Sequence, residues 1–154
     1  MGRFKVVCER VDQVIAPMES AKRQKALQHL HGVSLAAAIL AKKRNLSAEI
    51  AQIAAMLHDL AAYTSGSYEN HAMRGGELAK TILVELGVTT EAETAQICQA
   101  IARHDDKDRV DTPFDELLKD ADVMDHTLHD VTKEIKAKEQ TRFASLCKEF
   151  GLRE

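Results

Sequence analysis

The stretch IAQIAAMLHDLAAYTSGS, residues 50–67, decides the fold class. Its bulky apolar residues recur every three or four positions, which is the spacing of one face of an α-helix. The other face carries alanines and then His58 beside Asp59. Ser47 predicts the start of this helix, because a serine side chain accepts from the free amides of a first turn. We therefore expect one helix that packs closely on its neighbours and presents a polar pair near its end.

The same periodicity continues along most of the 154 residues, and no alternating strand pattern interrupts it. This predicts an all-α fold, a compact bundle of about six to seven helices. The expected helices cover residues 3–16, 20–43, 48 to the segment TSGS, about 69–87, 89 or 90 to 104, a short one from 114, and a long one over about 120–138, with a last turn or two beyond.

Composition favours a single domain over residues 1–154. The chain is 45% hydrophobic, 29% charged and 4% aromatic, which suits a folded helical protein rather than a disordered one. The formal net charge is −3 and the basic residues are dispersed, so we expect no nucleic-acid polymer as a partner. The lightly charged first helix offers a surface for a homodimer.

The sequence also indicates the compartment. The first 16 residues carry too many charges for the core of a signal peptide, and no apolar run reaches membrane-spanning length. The three cysteines are widely spaced, which disfavours a disulfide framework. We expect a cytoplasmic protein without a membrane partner.

Polar residues that suit a metal site fall on different predicted helices or helix ends. His31 continues a row with Leu27, Leu35 and Ala38, so we predict that it points inward, whereas His29 lies on another side of that helix and is expected to be structural. Imidazole and carboxylate groups bind several divalent metals, and helical bundles build such sites between facing helices. The candidate ligands are His31, His58, Asp59, His71, His104 and Asp122.

These residues resemble the pattern of the HD-domain metal-dependent phosphohydrolases, which is a His, an adjacent His-Asp and a distant Asp. The matching segments are HGVSLAAAILA from His31, AAMLHDLA around His58, and LLKDADVMDH with Asp122. HAMRGGELAKTIL and AIARHD add the two histidines of subgroups that bind two metals. The resemblance covers about residues 26–126 and leaves residues 127–154 as a C-terminal helical extension.

The resemblance implies a metal-dependent mechanism. His31, His58, Asp59 and Asp122 would hold a first ion, and Asp59 would bridge to a second ion held by His71 and His104. One or two divalent ions are implied, and the ligand types do not distinguish Fe, Mn, Zn, Mg, Ni or Co. A bound ion lowers the pKa of its water to about 7, so hydroxide is available to attack phosphorus at neutral pH.

Cations are needed for the phosphate charge that develops during transfer. Arg74 lies one helical turn beyond His71 and is the first candidate, with a catalytic role beside His58 and Asp59. Further candidates for substrate contact are Arg103, Lys107, Lys119 and Tyr63.

The chain departs from the family pattern at two places. Many relatives carry a lysine two or three residues after the His-Asp pair, where this chain has Ala61, Ala62 and Tyr63. Tyr63, Arg74 or a residue of the C-terminal helix would have to substitute for it. Asp105 follows His104 where a small polar residue is usual, which puts a diadenosine tetraphosphate substrate and the second metal in doubt.

The expected function is an enzyme of the phosphatase or phosphodiesterase class that cleaves a phosphoester or phosphoanhydride of a nucleotide or a similar small phosphorylated metabolite. The alternative is a non-catalytic, metal-bearing domain that binds a nucleotide as a sensor. Downstream, His126 and His129 could add metal ligands beside Asp122. We expect them instead to form ordinary pairs, His126 with Asp122 or Asp130 and His129 with Asp125.

Overall fold

The computed structural model describes residues 2–153, and over this range it contains helices and no strand. The all-α prediction is therefore confirmed. No helix within residues 2–153 is both long and apolar enough to cross a membrane. The helices are α1 (Arg3–Ile15), α2 (Ser20–Lys43), α3 (Ala48–Leu57), α4 (Leu60–Ser65), α5 (His71–Leu86), α6 (Glu91–Arg103), α7 (Pro113–Leu128) and α8 (Ala137–Phe150).

Helix α3 lies at the centre of the bundle. It packs against α1, α2, α6 and α7, and seven of its ten residues are buried. Alanines at positions 51, 54 and 55 let the neighbouring helices approach closely, while Ile53, Met56 and Leu57 fill the core. The C-terminal end of α3 is consequently held in the middle of the molecule, where the His-Asp pair follows.

The predicted helix over residues 48–63 is wrong in one respect, because the chain interrupts it at the His-Asp pair. Helix α3 ends at Leu57, and Asp59 has φ −104° and ψ 5°, outside the α-helical region. The amide of Ala62 donates to the carbonyl oxygen of Asp59, three residues earlier. A new helix, α4, therefore begins directly after Asp59. The start is as predicted, since the Ser47 hydroxyl accepts from the Ile50 amide.

The C-terminal prediction is also wrong. One helix, α7, replaces the short and long pair, because Thr112 and Asp115 form a capping box with Pro113 at the first helical position. It stops at Leu128, two residues before Asp130, whose carboxylate accepts from the amide (3.1 Å) and the hydroxyl (2.6 Å) of Thr132. This local turn competes with helix continuation. Residues 137–150 then form a full helix, α8, rather than a last turn.

Two adjacent glycines in α5 allow close contact with the site-bearing turn and with α6. A Cβ atom on Gly75 would lie 2.9 Å from the carbonyl oxygen of His58, and one on Gly76 would lie 2.9 Å from that of Cys98. Both contacts are with backbone atoms, and moving backbone costs more free energy than moving the end of a flexible side chain. The small residues therefore set the distance between α5 and the turn that carries His58.

Gly75→Ala is expected to lower the free energy of unfolding by about 1–3 kcal/mol, because the added methyl forces the His58 backbone away. Urea denaturation of the variant and the parent measures the difference. Glu77→Ala, at an exposed position of the same helix, is the matched control and should stay within about 0.5 kcal/mol of the parent. Equal stabilities for the two variants would contradict the packing described for Gly75.

Candidate metal centre

Four histidines and two aspartates from separate parts of the fold meet at one end of α3. His29 comes from α2, His58 and Asp59 from the turn after α3, His71 from the start of α5, His104 from the end of α6 and Asp122 from α7. The side chain of His29 is 14% exposed, and the other five residues are buried. The structure thus brings together five of the six predicted ligands.

The first ligand set consists of His29, His58, Asp59 and Asp122. The Nε2 atom of His29 lies 3.3 Å from Asp122 Oδ1 and 3.5 Å from Asp59 Oδ2. The Nε2 atom of His58 lies 3.6 Å and 3.5 Å from the same two oxygens. Ligand atoms around one tetrahedral ion lie about 3.3 Å apart when each is about 2.0–2.1 Å from the metal. The spacing of this set therefore suits a single ion.

The second set consists of Asp59, His71 and His104. Asp59 Oδ1 lies 3.3 Å from His71 Nε2 and 3.2 Å from His104 Nε2, and the two nitrogens are 3.3 Å apart. Asp59 contributes its other oxygen, Oδ2, to the first set. One carboxylate is therefore placed to bridge the two sets, with three protein ligands available to the second.

The second nitrogen of each histidine ring fixes its orientation. His58, His71 and His104 donate from Nδ1 to the carbonyl oxygens three residues earlier, at 2.7, 2.9 and 2.7 Å. His29 donates from Nδ1 to Asp125 Oδ2 at 2.7 Å. When the ring proton stays on Nδ1, the lone pair of Nε2 faces the cluster, which is the arrangement of metal-binding histidines.

Two oxygens in the cluster have no hydrogen-bond donor. Asp59 Oδ1 and Asp122 Oδ1 are buried and unpartnered within residues 2–153. A buried, unsatisfied carboxylate oxygen costs free energy unless a cation or donor compensates it. The Nε2 atoms of the imidazoles and these two oxygens together form a donor set that fits divalent metal ions.

The carboxylates of the cluster are anionic. Burial raises the pKa of Asp59, but the neighbouring imidazoles of His58, His104, His29 and His71 outweigh it and hold that pKa well below its usual value. Burial also raises the pKa of Asp122. Lys107 and the histidines outweigh this effect and hold that pKa well below its usual value. Burial lowers the pKa of His29, but Asp122, Asp125 and Asp59 raise it to about 12. A metal ion that enters the first set therefore displaces a proton from His29.

The prediction that His31 points into the site is wrong, and His29 takes its place. His31 is exposed and lies beside Arg23, Gln24 and Gln28 on the outer surface of α2. The buried stripe of α2 is Ala26, Leu30, Val33 and Ala37, and Leu35, taken as inward-facing, is 63% exposed. The spacing Ala26, His29, Leu30, Val33 follows the three-and-four rule and was the signal that could have identified His29.

The predicted phosphate contacts are engaged elsewhere. Arg74 donates to Ser65 and to the carbonyls of Ser67 and Glu69, so it holds the loop before α5 and does not line the cavity. The Arg103 guanidinium lies 2.8 Å from the buried Asp115. The remaining two predicted cations are buried: Lys107 contacts Asp122, and Lys119 contacts Asp111. None of these four side chains is placed as the sequence predicted.

A cavity of 340 Å³ opens from the cluster of histidines and aspartates to the surface. Tyr63, which the sequence predicted as a substrate contact, is one of its lining residues. The other lining residues outside the ligand sets are Tyr68, Asp105, His126, Lys136, Lys138 and Glu139. Three of them lie at the start of α8 or just before it, so the C-terminal segment forms one wall of the cavity.

His126 belongs to that wall. Its Nδ1 donates to the buried Glu139 at 2.8 Å, its Nε2 lies 3.5 Å from Asp122 Oδ1, and its ring stacks on His29 with centroids 5.0 Å apart. The predicted pair with Asp122 is thus present, while the contact with Glu139 was missed because α8 was not predicted. His129 pairs with Asp125 at 3.3 Å, as expected.

The fold and the site together define the class of protein: an all-helical bundle with a candidate site for two metal ions, formed by two His/Asp ligand sets that share one aspartate. The sequence model of the HD domain matches residues 26–127. The chain belongs to the HD-domain family, the metal-dependent phosphohydrolase family that its motifs resemble.

Two known proteins are similar to the chain. Ribonuclease Y of Chlorobium phaeobacteroides is 31% identical over 101 residues, which are 66% of this chain and 18% of that protein. The chain thus corresponds to less than a fifth of that relative's length. The crystal structure of a predicted HD superfamily hydrolase from an uncultured Thermotogales bacterium superposes with a TM-score of 0.67 at 18% identity, over 97% of this chain and 90% of the other. This second likeness establishes the fold.

Proposed function

We propose that this protein is a metal-dependent phosphohydrolase that cleaves a phosphoester or phosphoanhydride bond of a small phosphorylated metabolite, most naturally a nucleotide. The observation that carries the proposal is the pair of ligand sets that share Asp59, with two buried carboxylate oxygens that lack any donor. A divalent ion bound there would supply hydroxide at neutral pH and neutralise phosphate charge.

The chain's own residues orient the reaction. The Nδ1 hydrogen bonds of the four histidines hold their rings so that Nε2 faces the cluster, and Asp59 and Asp122 present unpartnered oxygens beside them. Tyr63 and Tyr68 also line the cavity, and burial raises the pKa of both phenols, so they remain hydroxyl donors at neutral pH. A volume of 340 Å³ suits a small ligand rather than a long polymer segment.

Lys136 and Lys138 are the proposed phosphate-binding cations. Both line the cavity, and they lie in the segment just outside the residues that match the HD domain. Lys138 Nζ is 2.7 Å from Asp105 Oδ1, and its side chain remains 43% exposed, so an incoming phosphate can reach it. These lysines would replace the cation that many relatives carry after the His-Asp pair.

The double variant Lys136→Glu, Lys138→Glu is expected to raise KM for a phosphorylated substrate about 10–100-fold, because two charge-assisted contacts become repulsive. Steady-state kinetics of phosphate release measure this change, and metal content should stay at the parent value. Lys133→Glu is the matched control, since Lys133 lies on the loop that leads into α8, is 74% exposed and does not line the cavity. A KM that stays equal in both variants would rule out these cations as substrate contacts.

The proposed activity is tested on protein purified without a chelator. Elemental analysis should find one to two divalent ions per chain, and protein loaded separately with Fe, Mn, Zn, Mg, Ni or Co is assayed for phosphate release from nucleoside mono-, di- and triphosphates and dinucleotides. Turnover with at least one metal is the expected result. Bound metal without turnover on any substrate would refute the hydrolase, and nucleotide binding in that case would indicate a sensor.

A second candidate activity is hydrolysis of RNA phosphodiester bonds, which the similarity to Ribonuclease Y favours. The net charge of −3 and the dispersed basic residues argue against it, because binding to a nucleic-acid backbone depends on clustered Lys and Arg. A labelled RNA oligonucleotide in the same assay separates the two activities. Cleavage of the oligonucleotide with no release of phosphate from nucleotides would select the ribonuclease.

A further inference from the structure

Lys107 is a buried lysine in contact with the metal cluster. It lies in the loop between α6 and α7, and its side chain is only 1% exposed. Its Nζ donates to Asp122 Oδ2 at 2.6 Å and to the carbonyl oxygen of His104 at 2.6 Å. It therefore links a residue of the first ligand set to one of the second, and it has no route to a substrate in the cavity.

The contact with Lys107 makes the two oxygens of Asp122 different, because only one of them accepts a hydrogen bond from the ammonium group. Oδ2 is occupied by the ammonium group, while Oδ1 faces His29 and His58 without a hydrogen-bond donor. Carboxylates bind cations through one oxygen or through both. An oxygen that already accepts a short, charge-assisted hydrogen bond from an ammonium group is a weaker ligand, because one lone pair is in use and the positive charge opposes a cation there. Asp122 is thereby left with one strong ligand atom.

We infer that Lys107 is a positioning residue that restricts Asp122 to a single ligand oxygen and so keeps a coordination position at the first set free of protein. The inference rests on the proposed function, because it requires that the cluster binds metal. Catalytic metal sites differ from structural ones in that they keep such a position for water or substrate. The bond to the His104 carbonyl holds the ammonium in place.

Lys119 provides a matched control within the same region. It is equally buried, and its Nζ donates to the carbonyl of Arg109 at 2.7 Å and to Asp111 Oδ2 at 2.8 Å. It anchors the same loop between α6 and α7 but contacts none of the ligand residues. A change in stability that arises from the loss of any buried lysine would therefore appear when either Lys107 or Lys119 is replaced. A change in metal affinity is expected only when Lys107 is replaced.

The test uses the full chain with His71→Ala, which removes one ligand of the second set and leaves the first set to bind a single ion. Co²⁺ is titrated into this parent and into the same chain with Lys107→Met or Lys119→Met. We expect Lys107→Met to bind Co²⁺ at least about tenfold more tightly, because a second oxygen becomes available and a neighbouring positive charge is removed. The visible absorption of bound Co²⁺ should weaken as its coordination number rises, and Lys119→Met should match the parent in affinity and spectrum.

An unchanged or weaker Co²⁺ affinity together with an unchanged spectrum in Lys107→Met would overturn the inference. Lys107→Gln, which also removes the ammonium group but keeps a polar side chain, provides the same readings if the methionine variant does not fold. Failure of the metal site itself would look different, since neither the unmodified chain nor the parent would then bind Co²⁺ at all. Failure of the hydrolase alone would appear as Co²⁺ binding by the unmodified chain without release of phosphate.

Discussion

Asp59→Ala is expected to leave the protein without either ion and to lower phosphate release by at least about 10³-fold, which corresponds to about 4 kcal/mol. The reason is that its two oxygens serve different ligand sets. Oδ2 lies 3.5 Å from Nε2 of both His29 and His58, and Oδ1 lies 3.2–3.3 Å from those of His104 and His71. Elemental analysis and the phosphate-release assay measure the two losses.

The control for this variant is Asp106→Ala, an exposed aspartate that does not line the metal-bearing cavity. It should keep both the metal content and the activity of the parent. If Asp59→Ala kept its metal content while a folded state was verified by circular dichroism, the bridging arrangement would be refuted. If it lost metal but kept turnover, the metal-dependent reaction would be refuted instead.

His29→Ala is expected to lose the first ion, to keep one ion in the second set, and to lose about 10²–10³-fold in activity, within the range seen when catalytic electrostatics are removed. His29 is a member of the first set, with Nε2 3.3 Å from Asp122 Oδ1, and does not belong to the second. His31→Ala is the matched control on the same helix. Because His31 is exposed and lies outside the cavity, its replacement should change neither metal content nor rate.

The pair of variants also decides which histidine fills the first position of the family motif. Loss of metal in His31→Ala with full metal content in His29→Ala would restore the assignment made from the sequence. The opposite result supports the orientation of α2 described above. The measurement is metal content per chain after gel filtration, which is independent of the choice of substrate.

The sequence predicted most of the helices and five of the six clustered residues, because their signals are local. Asp59 and His58 stand side by side, His104 follows the last apolar residues of α6, and Asp122 directly follows Ala121, as in the family pattern. His71 begins α5, two residues after the predicted start of that helix near residue 69. Such residues are tied to helix ends or faces that a periodic pattern defines.

The rotation of α2 could not be predicted in the same way. Small and apolar residues surround much of the circumference of α2. The sequence pattern therefore does not distinguish a core face through Leu27 and Leu35 from the true core face through Leu30 and Val33. A shift of two residues around a helix moves a side chain by about 200°. Only the packing of α2 against α3 and α7 decides between His29 and His31.

The roles of the lysines and of α8 depend on contacts between distant parts of the chain. Lys107 meets Asp122, 15 residues further on, and His126 meets Glu139 across the loop between α7 and α8. No spacing rule connects such pairs. The sequence therefore left the cavity wall formed by α8 unpredicted and assigned Lys107 to the substrate instead of to Asp122.

The interruption between α3 and α4 has a consequence for how the site could be altered. Neighbouring residues on an unbroken helix point about 100° apart and do not face one another. Asp59 leaves that geometry, and its carboxylate consequently comes within 3.5 Å of the His58 ring. An engineered sequence that joined α3 and α4 into one continuous helix would keep every ligand residue. It would nevertheless separate the carboxylate of Asp59 from the His58 ring and so disrupt both ligand sets.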